Sequence, residues 1–255
     1  MPGPGSDLTS WLLDGDPAVR WRVHELYGGP AADVVRERRR VATQGWGARL
    51  IAEQDPDGQW AGGLYTPKWT STTYTLLLLH RLGVPPGDPA FRKGSARLWD
   101  GSRVLHGGAN IGLRARRAEQ CISGLLVLLA AYADQLDDRV DRTVSGLLGQ
   151  QRSDGGWNCV DLDNPGRHSS FHTSILVLEA LLTYERAGGT VQVAGPLTQG
   201  RGVLPRAPAV PVAPVGAGSG PGQHALPVPA AVAFRRDAGA RAFRGRGSSA
   251  GSPAL

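Results

Sequence analysis

Gln151-Arg152-Ser153-Asp154-Gly155-Gly156-Trp157 is the stretch that organises the chain, because it occurs twice. Gln54-Asp55-Pro56-Asp57-Gly58-Gln59-Trp60 repeats its Gln, its Asp-Gly and its Trp at the same internal spacing. Each copy closes an amphipathic segment (48–54 and 144–151) and precedes a second one rich in Leu and opened by Ser or Thr (70–82 and 170–186). The unit is therefore helix, Q-x-x-D-G-x-W turn, helix. Asp-Gly predicts a tight turn with a left-handed residue. The Trp is a large apolar group able to pin that turn between helices. The Gln side chain can hydrogen-bond to the turn or to a helix end. Thr70, Ser71 and Thr72 in one copy, and Ser169 and Ser170 in the other, supply residues suited to N-caps.

These two units resemble the QW repeat of the terpenoid cyclase and protein prenyltransferase β-subunit superfamily, whose squalene-hopene cyclase-like members share it. The resemblance covers residues 46–188 and implies an all-α fold, an α-α toroid with an inner and an outer ring of helices, here short or incomplete. It also implies a cytoplasmic protein that binds or transforms an isoprenoid or other apolar small molecule. Cyclases of this superfamily protonate an alkene with an Asp-rich motif, and the nearest match is Asp161-Leu162-Asp163-Asn164, which makes Asp161 and Asp163 the candidate acids. Prenyltransferases hold a catalytic zinc with Asp, Cys and His. The corresponding candidates are Cys159, Asp161, His172 and Cys121, with Cys and Asp in reversed order, and zinc would be the implied cofactor. A non-catalytic toroid that only binds a ligand or partner is the alternative.

Composition limits the choices. Seven of the 28 basic residues and one of the 22 acidic residues lie from Gln192 onward, so 21 of each remain before it. The formal charge of +6 thus belongs to the last quarter of the chain, and a nucleic-acid partner has no electrostatic support in the rest. Two cysteines give no disulfide framework and fit a reducing compartment. Met1-Pro2-Gly3-Pro4-Gly5 lacks the basic and apolar regions of a secretory leader. The longest apolar runs, 76–79 and 125–131, are too short to span a bilayer.

Outside the repeats, Asp16-Pro17 reads as a helix start, and Pro30 opens a further helix with a basic, solvated segment at 36–40. Residues 89–99 form a modest helix. Residues 101–117, with glycines and several arginines, are expected to be a long loop. The apolar run at 118–135 predicts a buried helix, and Gly124 within it predicts a close helix approach. His80 and Glu179 each lie nine residues beyond the serine that opens their helix, so equivalent positions are expected for them. His168 and Glu119 sit beside the apolar helices.

The domain expectation is a toroid over residues 1–190, with repeats at about 48–83 and 144–186. A tail at 191–255 rich in Gly, Ala, Pro and Arg would be without regular structure. That tail can also be encoded so that another reading frame gives a different sequence. Pro229-Ala230-Ala231-Val232-Ala233-Phe234-Arg235-Arg236-Asp237-Ala238 can be encoded so that a one-nucleotide slip yields Pro-Pro-Arg-Trp-His-Phe-Asp-Val-Met, similar to a closing motif of QW-repeat proteins. A frameshifted product without function is thus a further alternative.

Overall fold

The computed structural model describes residues 4–159 and 168–203. Within them the chain forms α1 (Pro4–Leu13), α2 (Pro17–Leu26), α3 (Ala31–Val41), α4 (Gly45–Ala52), α5 (Thr72–Leu82) and α6 (Pro89–Asp100). The hairpin β1 (Ser102–Leu105) and β2 (Gly108–Ile111) follows, then α7 (Gln120–Tyr132), α8 (Asp138–Gly149), α9 (Phe171–Arg186) and α10 (Ala194–Arg201). The protein is predominantly helical. No helix among the described residues is long and apolar enough to cross a membrane.

Local sequence explains most of the helix starts. Asp16 Oδ1 accepts the Ala18 N–H at 2.9 Å, and its Oδ2 accepts Trp46 N–H at 2.8 Å, so one carboxylate caps α2 and holds the start of α4. Asp88 and Asp137 cap α6 and α8 through the N–H groups of Phe91 and Val140, at 3.0 and 3.1 Å. Ser170 caps α9 through Thr173 N–H at 3.4 Å. Ser71 precedes α5 but makes no capping bond; the Thr72 and Thr73 hydroxyls donate instead to Gly63 O and Leu64 O, at 2.7 and 2.6 Å.

Helix α7 is apolar on all sides and buried along almost its whole length, as a helix inside two layers must be. It packs chiefly on α9 and also touches α5, α6 and α8, while α4 packs on α5 and α10 on α9. Gly124 permits the close approach of α7 to α9: a Cβ there would stand 3.2 Å from Val177 Cγ2. The pair α2 and α3 covers the C-terminal end of α5. Trp21 Nε1 donates to Leu82 O at 2.7 Å, and Arg38 Nη2 donates to the Tyr132 hydroxyl at 2.8 Å.

The two Trp turns are built alike. Trp60 is 2 % exposed and Trp157 is fully buried. Burying an indole of this size contributes about 4–6 kcal/mol of transfer free energy. Trp60 Nε1 donates to Leu50 O at 2.7 Å, and Trp157 Nε1 to Leu147 O at 2.8 Å. Gln54 Nε2 reaches Gly58 O (3.0 Å) and Ala90 O (2.9 Å), while Gln151 Nε2 reaches Gly155 O (2.7 Å) and Pro196 O (2.9 Å). Gly58 and Gly155 hold the left-handed position, at φ 92° and 93°.

A third unit lies between these two. The backbone N–H of Trp60 donates to Thr72 Oγ1 at 3.1 Å, and that of Trp157 to Ser174 Oγ at 2.9 Å. In the middle of the chain, Ala109 N–H donates to Ser123 Oγ at 2.8 Å. Ala109 of the hairpin therefore occupies the place of the Trp, and α7 that of α5 or α9. With the indole gone, the Leu98 carbonyl accepts from Ser102 Oγ at 2.7 Å.

Four expectations are corrected. The reading as purely all-α fails over 101–117, where Ser102–Leu105 pairs antiparallel with Gly108–Ile111 and replaces the Trp turn of the middle unit. The packed chain runs past the boundary at 190: α10 buries Leu197, and a Cβ on its Gly200 would lie 3.2 Å from Trp157 Cζ3, as one on Gly94 of α6 would lie 2.6 Å from Trp60 Cζ3. Composition misled here because α10 is short and held by the turn rather than by its own apolar stripe. His80 and Glu179 are not equivalent. Aligning Thr72 with Ser174 sets His80 against Leu182 and Leu77 against Glu179, because Thr72 is the first residue of α5 whereas Ser174 comes one turn into α9. The basic segment 36–40 is not simply solvated: Glu37, 2 % exposed, pairs with Arg20, Arg36 and Arg40.

Candidate functional site

The side chains able to do chemistry gather at the N-terminal ends of α5, α7 and α9. Cys121 is the second residue of α7, and Cys159 follows the second Trp turn by two residues. Cys121 N–H donates to Cys159 Sγ at 2.9 Å, and Thr173 Oγ1 of α9 lies 3.6 Å from the same sulfur. The Cys121 thiol donates to Cys159 as well, and this bond, against the effect of burial, holds the Cys159 thiol below its ordinary value. The same bond, and burial with it, pushes Cys121 up. Both thiols are free and half-buried.

Glu119 precedes α7, and its Oε1 accepts from Asn110 Nδ2 of the hairpin at 3.0 Å. Beside it stand Tyr65, Trp69 and Tyr74, with ring centroids 5.5 Å apart for Tyr65–Tyr74 and 5.1 Å for Trp69–Tyr74. A hydrogen bond with Tyr74, then burial, raises the Tyr65 phenol, and Cys121 and Glu119 are near enough to act in the same direction. The Asp154 carboxylate of the second turn accepts from Ser169 N–H (2.8 Å) and Gly156 N–H (3.3 Å). Burial works upward on Asp154, but these bonds and the one from Ser169 Oγ outweigh it and hold the carboxyl below its usual range.

The same end of the helices presents apolar surface. Trp69 is 78 % exposed, Phe171 47 %, Leu78 45 % and Ile175 39 %. Tyr74, Leu78 and Arg81 share one stripe of α5 at helical spacing, and Phe171, Ile175 and Glu179 share one of α9. Both stripes end on one contact, the two-pronged ion pair of Arg81 with Glu179. That ion pair joins the α5 stripe to the α9 stripe. Deeper in the same row, His80 stands edge-on to Tyr132, with centroids 4.4 Å apart, and its Nδ1 has no hydrogen-bond partner. Burial above all brings His80 down to about 4; Arg81, Arg22 and Arg38 add to this and Glu179 opposes it.

Of the expected zinc ligands, Cys121 and Cys159 are brought together, whereas His172 is exposed in the first turn of α9. Asp161 lies outside the described residues, as does Asp163, the other candidate acid. Among the described residues no three His, Cys, Asp or Glu side chains converge as a metal site would need. Sequence reasoning missed the aromatic group. Four Phe and five Tyr in the whole chain suggested a thin supply, yet Tyr65, Trp69 and Tyr74 lie within ten residues of one another, directly after the first Trp turn. That local density was the available signal. A separate open recess of about 710 Å³ lies on α3, lined by Ala31, Val35, Arg36, Arg39 and Arg40, away from the thiols and the aromatic rings.

No protein-family model, curated protein or solved structure matches the chain.

Proposed function

We propose that the chain binds an apolar, isoprenoid-type small molecule on the face formed by α5, α7 and α9. On this reading those helices are an arc of the inner ring of an α-α toroid like that of the terpenoid cyclases and prenyltransferase β-subunits. The observation that carries the reading is the pair of exposed stripes joined through Arg81 and Glu179: Trp69, Tyr74 and Leu78 with α5, Phe171 and Ile175 on α9. Exposed aromatic and aliphatic side chains at this density mark a surface that gains by being covered. Aromatic walls suit a polyene, and Arg81 with Glu179 sets a polar limit at one end. The two Q-x-x-D-G-x-W units support the same family reading. Binding is the function proposed; catalysis would need the acids at Asp161 or Asp163.

The test is a titration of the full chain with farnesol and with farnesyl diphosphate, followed by tryptophan fluorescence and calorimetry. Saturable binding that weakens about 10-fold or more in Trp69→Ala, and again in Ile175→Asp, is expected. An absence of saturable binding up to the solubility limit of the ligand, or binding unchanged by both substitutions, contradicts the proposal.

A further inference from the structure

We propose that Cys121 and Cys159 form a reversible dithiol–disulfide couple that exchanges with low-molecular-weight disulfides, Cys159 reacting first and Cys121 resolving. The proposal stands on geometry. Cys121 and Cys159 are 38 residues apart in sequence, yet Cys121 N–H is 2.9 Å from Cys159 Sγ. Neither sulfur reached that place by chance of a loose loop. Cys159 is anchored by Trp157, whose backbone N–H is held by Ser174 and whose indole N–H is held by Leu147. Cys121 is anchored by α7, which packs along α9 at Gly124 and Val177. Cys121 is thus held by α7 and Cys159 by the Trp157 turn, with the Cys121 N–H already on the Cys159 sulfur, so closing the bond requires little movement of the backbone.

The roles follow from the partners. Cys159 Sγ accepts from Cys121 N–H in the first turn of α7 and faces Thr173 Oγ1 in the first turn of α9, so it lies beside two helix N-termini. That environment favours the thiolate on Cys159, the form that attacks. Half-burial of both sulfurs leaves an approach for a small disulfide. Cys159 attacks one sulfur of R–S–S–R. The Cys159–S–S–R bond forms, R–S⁻ leaves, and it takes up the proton given up by Cys159. Cys121 then attacks Cys159 Sγ, the protein disulfide forms, and the second R–S⁻ leaves with the Cys121 proton. Two thiols of the protein are oxidised and one external disulfide is reduced to two thiols.

The test is incubation of the full reduced chain with oxidised glutathione, read by thiol counting and by mass spectrometry of the digested protein. The expected product has lost both titratable thiols, is two hydrogen masses lighter, carries no glutathione, and yields a peptide linked through Cys121 and Cys159. Its melting temperature should rise by roughly 5–10 °C, because the bond closes a long loop in the unfolded chain. In Cys121→Ser the reaction should stop at a glutathione adduct on Cys159. In Cys159→Ser, modification of Cys121 should be at least about 10-fold slower. Stable glutathione adducts on the unsubstituted chain, disulfide-linked dimers, or two thiols that stay reduced would each overturn the proposal. Because the mass measurement on the unsubstituted chain is decisive alone, a variant that fails to fold does not blunt the test.

Discussion

Gln151 Nε2 donates to Pro196 O at 2.9 Å, and Gln54 Nε2 donates to Ala90 O at the same distance. In each case one amide ties a Trp turn to the first turn of the helix that packs against it. The equivalence means that α10 belongs to the second repeat as α6 belongs to the first. A chain ending at Val191 loses α10 and uncovers Trp157, whereas a chain ending at Val203 keeps it. Removing Val193 and Leu197, both nearly fully buried, should make the shorter chain less stable than the longer by at least about 3 kcal/mol. Urea denaturation of the two truncations compares them directly; equal midpoints would show that α10 does not pack.

The Trp turns should be core positions and not ornaments of the surface. Trp157→Ala removes a fully buried indole together with its bond to Leu147 O, and a loss of about 3–5 kcal/mol is expected. Ser174→Ala, which strands the Trp157 backbone N–H, should cost about 1–3 kcal/mol. In the middle unit Ser123→Ala should cost a similar amount, because Ala109 N–H depends on it in the same way. Chemical denaturation of the three variants supplies the numbers, and a neutral Ser123→Ala would separate the hairpin from the repeat.

Folding should depend on pH through His80. Its folded value of about 4 lies below the ordinary value of 6.5, so the unfolded chain binds the proton more readily between those limits. Stability contributed by the neutral imidazole is therefore complete above about pH 7 and is lost as pH falls towards 4, up to about 3 kcal/mol in all. His80→Phe should flatten the curve over this window. A wild-type melting temperature that is constant from pH 7 to 4.5 would contradict the burial of His80.

Asp154 acts lower on the pH scale. Hydrogen bonds hold its folded value below the ordinary carboxyl value, so its contribution is present above about pH 4 and lost as acid protonates the folded form. Asp154→Asn should remove that acid sensitivity while leaving the helix content at pH 7 unchanged. Thermal melts between pH 5 and 2.5 report it, and an identical acid slope in the variant would count against the hydrogen bonds to Ser169 and Gly156.

What could be read from the sequence was what depends on local chemistry. The two Trp turns, their left-handed glycines and the buried helix around Leu125 to Leu129 follow from residue type and spacing alone. The middle unit could not be found that way, since Ala109 carries no indole and Ser123 is one serine among many. Its signature is a tertiary bond, visible only once α7 is in place. Helix α10 escaped because three of its eight residues are glycine or proline, and its stability comes from Gln151 and Trp157 rather than from propensity. Cys121 and Cys159, grouped in the sequence as zinc candidates, lie within hydrogen-bonding distance. His172 was grouped with them, yet its side chain is exposed. Being near a helix start does not fix which way a side chain faces.

An apolar ligand is proposed to lie against the exposed stripes of α5 and α9. Photolabelling the full chain with a farnesyl analogue carrying a photoreactive group, then mapping the adducts by mass spectrometry, tests it most directly. The account predicts adducts on Trp69, Tyr74, Leu78, Phe171 or Ile175, competed away by unlabelled farnesol. Adducts confined to the open recess on α3 at Val35 and Arg39, or labelling that farnesol does not compete, would contradict it.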